Sequence, residues 1–117
     1  MKSSLILVTL ISTFLFSSIL NAQQGWSTNT RIFDLGVFNG NSIFAQAIDI
    51  NVSAACPEAG SEFQLRTFRL DTENPFFKET YSILLAAQTS GREVQIHRTG
   101  ECHNEALAII NGARLRN

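Results

Sequence analysis

One stretch of this chain, residues 74–91, has the features of a complete helix and constrains the fold more than any other. Asn74 can cap the first free amides, and Pro75 suits the first helical position because its missing N–H would have no partner there. Gly91 can adopt the left-handed conformation that ends a helix. These signals predict a helix from about Pro75 to Ser90. Its predicted buried face is an apolar stripe at helical spacing that ends in one polar residue: Phe77, Tyr81, Leu84, Leu85 and Gln88.

Alternating apolar residues on both sides of this helix predict five β-strands. The predicted strands are residues 31–38, 42–52, 62–70, 92–98 and 107–115. Asn39-Gly40-Asn41 is typical of a hairpin turn between the first two strands. The favoured register of that hairpin keeps its large apolar residues together. It pairs Val37 with Phe44 and Phe33 with Ile48.

The later strands carry two further predictions. The apolar phase of the third strand changes part-way, which predicts a bulge or bend near Thr67. In the fourth strand Val94 and Ile96 are predicted to point inward, and residues 99–105 after it are predicted to form a polar loop that contains Cys102. Residues 53–61 are a loop by composition, and Asn111-Gly112 is expected to interrupt the last strand.

The order is three strands, one helix and two strands, which is the connectivity of the five-stranded oligonucleotide/oligosaccharide-binding (OB) fold. We therefore predict a mainly β fold, a β-barrel with one helix between strands 3 and 4. The alternative is a ferredoxin-like or other open α+β sandwich, which would need a helix where the residues 39–41 indicate a hairpin.

The N-terminal segment predicts export. Lys2 precedes an apolar run from Leu5 to Leu20, and a small residue, Ala22, follows it. This pattern is typical of a signal peptide over residues 1–22, which leaves one domain at residues 23–117. The run is shorter than the roughly 20 residues that span a bilayer, so no membrane insertion is expected after the signal is removed. The predicted location is secreted or periplasmic.

Two cysteines and a near-neutral charge complete this picture. Cys56 and Cys102 are predicted to form a disulfide, because an exported chain meets an oxidising compartment. They are 46 residues apart, and closing such a loop is worth roughly 4 kcal/mol on the chain-entropy model. Without Lys2 the chain has a net charge of −2, which gives no electrostatic reason to bind nucleic acid.

Several segments resemble the B subunits of AB5 toxins. Residues 75–79, the helix after them and residues 90–97 are similar to the helix and following strand of the subtilase cytotoxin and typhoid toxin B subunits. The hairpin from Phe33 to Phe44 is similar to their first hairpin. Trp26-Ser27 is similar to the segment with a tryptophan near the N-terminus of their mature chains. A longer pattern resembles short exported bacterial proteins described as B-subunit-like: Tyr81, Leu84 to Ala87, Ser90-Gly91, Val94, Gly100, Cys102 and Ile110 to Gly112.

The resemblance implies an OB barrel, a homo-oligomer of five copies and a role in glycan binding. The toxin subunits hold sialic acid with a serine on a longer segment before the first strand, where this chain has only residues 27–30. We therefore carry over the fold and the binding role, and not the identity of the sugar.

Candidate ligand-binding residues follow Trp26 in the sequence. An indole can pack on a pyranose ring, and neighbouring hydroxyl and amide groups can hydrogen-bond its rim. The candidates are Trp26, Ser27, Thr28 and Asn29, with Asn41 at the hairpin tip. The alternative is that Trp26 only packs over a barrel edge.

No cofactor or catalytic centre is predicted. His97, Cys102 and His103 could suggest a metal site, but a bridged Cys102 supplies no thiolate and no fourth ligand has useful spacing, so no metal is expected. The sequence has no nucleophile elbow and no H-E-x-x-H motif. The predicted function is an exported, non-catalytic binding module with a glycan ligand. The alternatives are a structural or interaction protein of the envelope without a pocket, and a small enzyme.

Overall fold

The computed structural model describes residues 24–38 and 42–116. The signal peptide predicted at residues 1–22 and the turn predicted at residues 39–41 therefore lie outside the described residues. The chain is mainly β, with α2 between the strands β4 and β5. The elements in chain order are β1 (Gly25–Trp26), β2 (Ile32–Phe38), β3 (Ser42–Ala47), α1 (Glu62–Arg66), β4 (Thr67–Leu70), α2 (Phe77–Ser90), β5 (Val94–His103) and β6 (Leu107–Leu115).

The helix predicted from the opening stretch is α2, and its C-terminal end is as expected. Gly91 has a φ of +69° and its N–H donates to the carbonyl of Ala87. At the other end α2 begins two residues later than predicted. Asn74 Oδ1 accepts from the Phe76 N–H at 2.8 Å, so Asn74 orders the turn before the helix and does not cap the helix itself. Pro75 lies in that turn and not at the first helical position.

The buried face of α2 is rotated from the predicted stripe. Leu84 and Ala87 are buried, and so is Thr80, whose hydroxyl is satisfied by the Phe76 carbonyl at 3.1 Å. Phe77 and Tyr81 pack against the core while partly exposed. The prediction that Leu85 is buried is wrong, since it is 41% exposed. A helix turns about 100° per residue, so Leu84 and Leu85 cannot both face the sheet fully.

The predicted register of the first hairpin is wrong by one residue. Val37 pairs with Ile43, and Gly36 with Phe44, after a bulge at the start of β2. The shift turns Ile43 and Ala45 inward and Phe44 outward. Ala45 pairs with Phe68, which is fully buried. Position 45 therefore accommodates a small side chain and not a second phenylalanine. The strand β3 also ends at Ala47 and does not reach residue 52.

The predicted third strand is a helix followed by a strand. Residues 62–66 form α1, and β4 begins at Thr67, the position where the apolar phase changes. Ser61 starts the helix through a capping box, in which its Oγ accepts from the Gln64 N–H at 3.1 Å and Gln64 Oε1 accepts from the Ser61 N–H. This Ser-x-x-Gln pattern was the local signal for a helix.

The last two strands confirm part of the prediction. Val94 and Ile96 are fully buried, and β6 has the predicted bounds. The polar loop predicted from residue 99 is wrong, because β5 continues to His103. Its pairing shifts between His97 and Arg98, which leaves Asn111 as the extra residue of a bulge in β6.

The disulfide between Cys56 and Cys102 is present, as predicted, with the two Cα atoms 5.8 Å apart. Cys56 lies in the loop before α1, whereas Cys102 lies in β5 and pairs with Ala108 of β6. The bridge therefore fastens the loop to the sheet. In the same region the buried Ser53 donates to the Thr67 carbonyl and accepts from the Ala108 N–H at 2.8 Å, which joins β4 to β6.

The six strands form one sheet in the order β1-β5-β6-β4-β3-β2. Among these described strands the pair β4–β6 is parallel and the other pairs are antiparallel. The sheet is not closed, so the five-stranded barrel is not confirmed. The core between the sheet and α2 contains Phe68, Leu84, Ile96 and Ile110. Within residues 24–38 and 42–116, no helix is long and apolar enough to cross a membrane.

Candidate functional site

Trp26, predicted to bind a ligand, lies in a group of residues that we call the Trp26 surface: Trp26, His97, Asn111, Gly112 and Arg114. Trp26 is 43% exposed on β1. The guanidinium of Arg114 lies 4.3 Å from the centroid of the indole ring, and the His97 ring meets it edge-on at 5.1 Å. A Cβ at Gly112 would lie 3.7 Å from Trp26 Cη2, so the ring also passes over this glycine.

Hydrogen bonds hold the Trp26 surface in place. His97 Nδ1 lies 2.7 Å from Asn111 Oδ1, and because that oxygen can only accept, His97 carries a proton on Nδ1. Arg114 Nε donates to Gln95 Oε1 at 2.8 Å, and Gln95 Nε2 donates to the Ser27 carbonyl at 3.0 Å. The charge stacked on the indole is therefore tied back to the backbone beside Trp26, which fixes the orientation of the ring.

The other predicted binding residues have different surroundings. Ser27 is buried, and its Oγ donates to the Thr28 carbonyl and accepts from the Ile96 N–H at 3.1 Å. This hydroxyl is used in the pairing of β1 with β5. Thr28 and Asn29 are exposed, and Asn29 Nδ2 donates to Glu93 at 3.2 Å. Asn41 lies outside the described residues.

A second surface was not predicted from the sequence. Three depressions around α1 share Phe63, and we call them together the Phe63 groove. The largest, about 520 Å³, is lined by Phe44, Phe63, Gln64, Thr67, His103, Asn104, Ala106 and Leu107. A second of about 390 Å³ lies between Phe33, Ile48 and Phe63. Phe33 and Phe63 are 66% and 65% exposed, which is unusual for side chains of this size.

Arg69 lies beside the largest depression, where it contacts two of the lining residues, Phe44 and His103, and it lines an adjoining depression of about 360 Å³. It is directly opposite Phe44 in the pairing of β3 with β4, and its guanidinium lies 5.7 Å from the centroid of that ring. One guanidinium nitrogen donates to Ser42 Oγ at 3.0 Å. Another contacts the ring nitrogens of His103, 2.8 Å from Nδ1. Phe68 and Leu70 face inward, so strand alternation was the signal that could have placed Arg69 on the outer face.

His103 is neutral in this arrangement. Arginine has no acceptor, so a ring nitrogen of His103 must accept from Arg69 and carry no proton. Burial, and then the charge of Arg69, lower the pKa of His103 below its ordinary value of 6.5. Asn104, which follows it at the start of the turn, has a φ of 49°.

The group considered as a metal site is divided among three different interactions. Cys102 is bridged, His97 bonds Asn111, and His103 contacts Arg69. The described part of the chain contains no cluster of three or more His, Cys, Asp or Glu side chains that could hold a metal ion.

Comparisons with protein-family models, with curated proteins and with solved structures found no match to this chain. The function is therefore argued from the two surfaces.

Proposed function

We propose that this protein is an exported, non-catalytic binding module built on a five-stranded OB-type barrel, and that its ligand is a glycan. The barrel is supported by the two edge strands, because β1 and β2 are consecutive in the chain. Residues 25–30 pair along β5, and residues 32–38 pair along β3. If they are two halves of one strand, the remaining order and the single parallel pair are those of an OB barrel.

The observation that supports a glycan most directly is the partly exposed indole of Trp26 among fixed polar groups. An aromatic ring offers a flat apolar face to a sugar, and the groups around it can hydrogen-bond the hydroxyls. Arg114 and His97 lie against the ring and carry such groups, and the exposed Thr28 and Asn29 follow Trp26 closely in the chain. Because Ser27 Oγ is occupied in the fold, its expected contribution is to hold Trp26, and not to bind the sugar.

Export and assembly are further parts of the proposal. The disulfide supports an oxidising compartment, in agreement with the predicted signal peptide. The resemblance to AB5 toxin B subunits favours a pentamer, and the native mass of the oxidised protein tests this directly. A monomer would remove the support for a toxin-like ring.

Glycan-array binding of the oxidised protein tests the proposal, with Trp26→Ala as the variant and Phe76→Ala as the control. Phe76 is an exposed aromatic residue, 66% exposed, that belongs to neither surface. We expect the wild type and the control to bind the same glycan. Trp26→Ala should lose about 1–3 kcal/mol, roughly 5- to 150-fold in affinity. No binding to any glycan by a monomeric wild type would contradict the proposal.

A second candidate is an interaction protein of the envelope that binds another macromolecule and no small molecule. The exposure of Phe33 and Phe63 on adjoining elements favours it, because such apolar surface often marks a contact with a partner. Failure on the glycan array, with binding to envelope protein that is lost in Phe63→Ala, would support this candidate.

A further inference from the structure

Arg69 is a charged group whose charge is not neutralised by a direct partner. Among the described residues Arg31 pairs with Asp49 and Arg66 with Glu62, but no carboxylate lies within 4.0 Å of the Arg69 guanidinium. Its two hydrogen-bonding partners, Ser42 and His103, are neutral. A guanidinium has five N–H donors in a planar fork that suits a carboxylate, so donors remain for a second partner.

The surroundings of Arg69 are apolar on one side and acidic on the other. The depression of about 520 Å³ contains Phe44, Phe63 and Leu107, and no carboxylate lines it. Beyond His103, an adjoining depression of about 360 Å³ is lined by Asp71, Glu73 and Glu101 together with Arg69. A bound anion would be repelled on the acidic side. The charge distribution therefore favours an anion at the end of the apolar depression.

We propose that the Phe63 groove binds an amphipathic carboxylate, with its apolar part along Phe44, Phe63 and Leu107 and its carboxylate on Arg69. Asn104 also lines the depression. Its Nδ2 contacts His103 Nε2 at 3.2 Å, and the second N–H of that amide can donate to the other carboxylate oxygen. The volume is within the range of about 300–1,000 Å³ found for small-molecule sites, and apolar lining with a few convergent polar groups is typical of them. This site is separate from the Trp26 surface and does not depend on a glycan ligand.

The position of Arg69 favours a planar carboxylate over a neutral apolar molecule. Phe44 supports the face of the guanidinium, and Ser42 holds one of its ends, so the fork is oriented before a ligand arrives. A preorganised bidentate pair is stronger than an ordinary hydrogen bond and selects ligands by shape as well as charge. A neutral ligand of equal length would gain only the apolar contacts.

The test compares octanoate with 1-octanol, its neutral counterpart, by NMR titration of the oxidised protein. We expect saturable shifts at residues 63 and 104–107 and at least tenfold tighter binding of octanoate. Arg69→Gln should remove this preference without weakening the binding of octanol. Arg69→Lys should keep part of it, because the charge remains while the fork is lost.

Two controls keep the result specific. Arg31→Gln removes an arginine that does not line the groove and that pairs with Asp49 at 3.3 Å, and it should leave octanoate affinity within twofold. Trp26→Ala should also leave it unchanged, so a failed glycan array and a failed octanoate titration are distinguishable.

Three results would overturn the proposal. These are equal affinities for octanoate and octanol, an unchanged preference in Arg69→Gln, and no saturable binding of octanoate at millimolar concentration. Circular dichroism of each variant shows whether it is folded. If Arg69→Gln does not fold, Arg69→Lys decides, since full retention of the preference in that variant would contradict a bidentate contact.

Discussion

The Trp26 surface and the Phe63 groove both expose aromatic rings, yet the rings are held in different ways. Trp26 lies over Gly112, under Arg114 and against His97, and those polar neighbours are bonded to the sheet. Phe63 projects from a helix of only five residues into open depressions. The comparison shows that exposure alone does not identify a binding residue. Trp26 stabilises the fold as well as forming a surface, whereas Phe63 contributes little to the stability of the fold.

The largest effect is expected from removing the covalent link beside the groove. Cys56→Ser with Cys102→Ser should lower the free energy of unfolding by up to about 4 kcal/mol, since the bridge closes a 46-residue separation. Because Cys102 directly precedes His103, the Phe63 groove should be disturbed more than the Trp26 surface. Urea denaturation and amide NMR shifts measure the two effects. A loss below about 1 kcal/mol would mean that the sheet holds this loop without the bridge.

Trp26→Ala should be the more costly of the two aromatic substitutions. It removes a partly buried ring and its contacts with Arg114 and His97, for a loss of about 1–2 kcal/mol of stability. The chain has one tryptophan, so circular dichroism and not fluorescence must follow the unfolding. An effect near zero would mean that the ring only rests on the surface.

Phe63→Ala should change the free energy of unfolding by no more than about 0.5 kcal/mol, as is usual for exposed positions. The same substitution should weaken binding of both octanoate and octanol. Parallel denaturation curves for this variant and Trp26→Ala place the two surfaces on one scale. If Phe63→Ala lowers the free energy of unfolding as much as Trp26→Ala does, the contrast between the two surfaces is wrong.

The smallest effect is a pH dependence from His103. Its pKa is lowered from 6.5 by burial and by Arg69, so the folded chain takes up this proton less readily than the unfolded chain. The stabilisation is present above pH 6.5 and is lost as the pH falls through the folded pKa. His103→Gln keeps a group that can accept from Arg69 and should flatten this part of the stability curve. A His103 imidazole that titrates at or above 6.5 by NMR would contradict the expected direction.

Local sequence signals predicted the elements whose cause is local. Gly91 marked the end of α2, and the alternation around Val94 and Ile96 marked the inner face of β5. The Ser61 to Gln64 capping box was also local, but the apolar residues after it were assigned to a strand. The capping box therefore indicated a helix at residues where the alternation of apolar residues indicated a strand.

The register of β2 with β3 could not be predicted in the same way. Ile43 and Phe44 are adjacent and both apolar, so the sequence offers two inner faces for β3. The packing of Ala45 beside the buried Phe68 decides between them, and these residues are far apart in the chain. Arg69 and Phe44 meet only once that register is set, which is why Trp26 could be proposed from the sequence and the Arg69 site could not.

The parallel pair of β4 and β6 has a consequence for the order of folding. The strand β6 is the last in sequence of the described strands, yet it lies in the sheet between β5 and β4. A chain that emerges from its N-terminal side therefore cannot join β5 to β4 until residues 107–115 are available. The centre of the sheet is therefore the last part to be completed, because the strand that fills it is the last of the described strands in the chain.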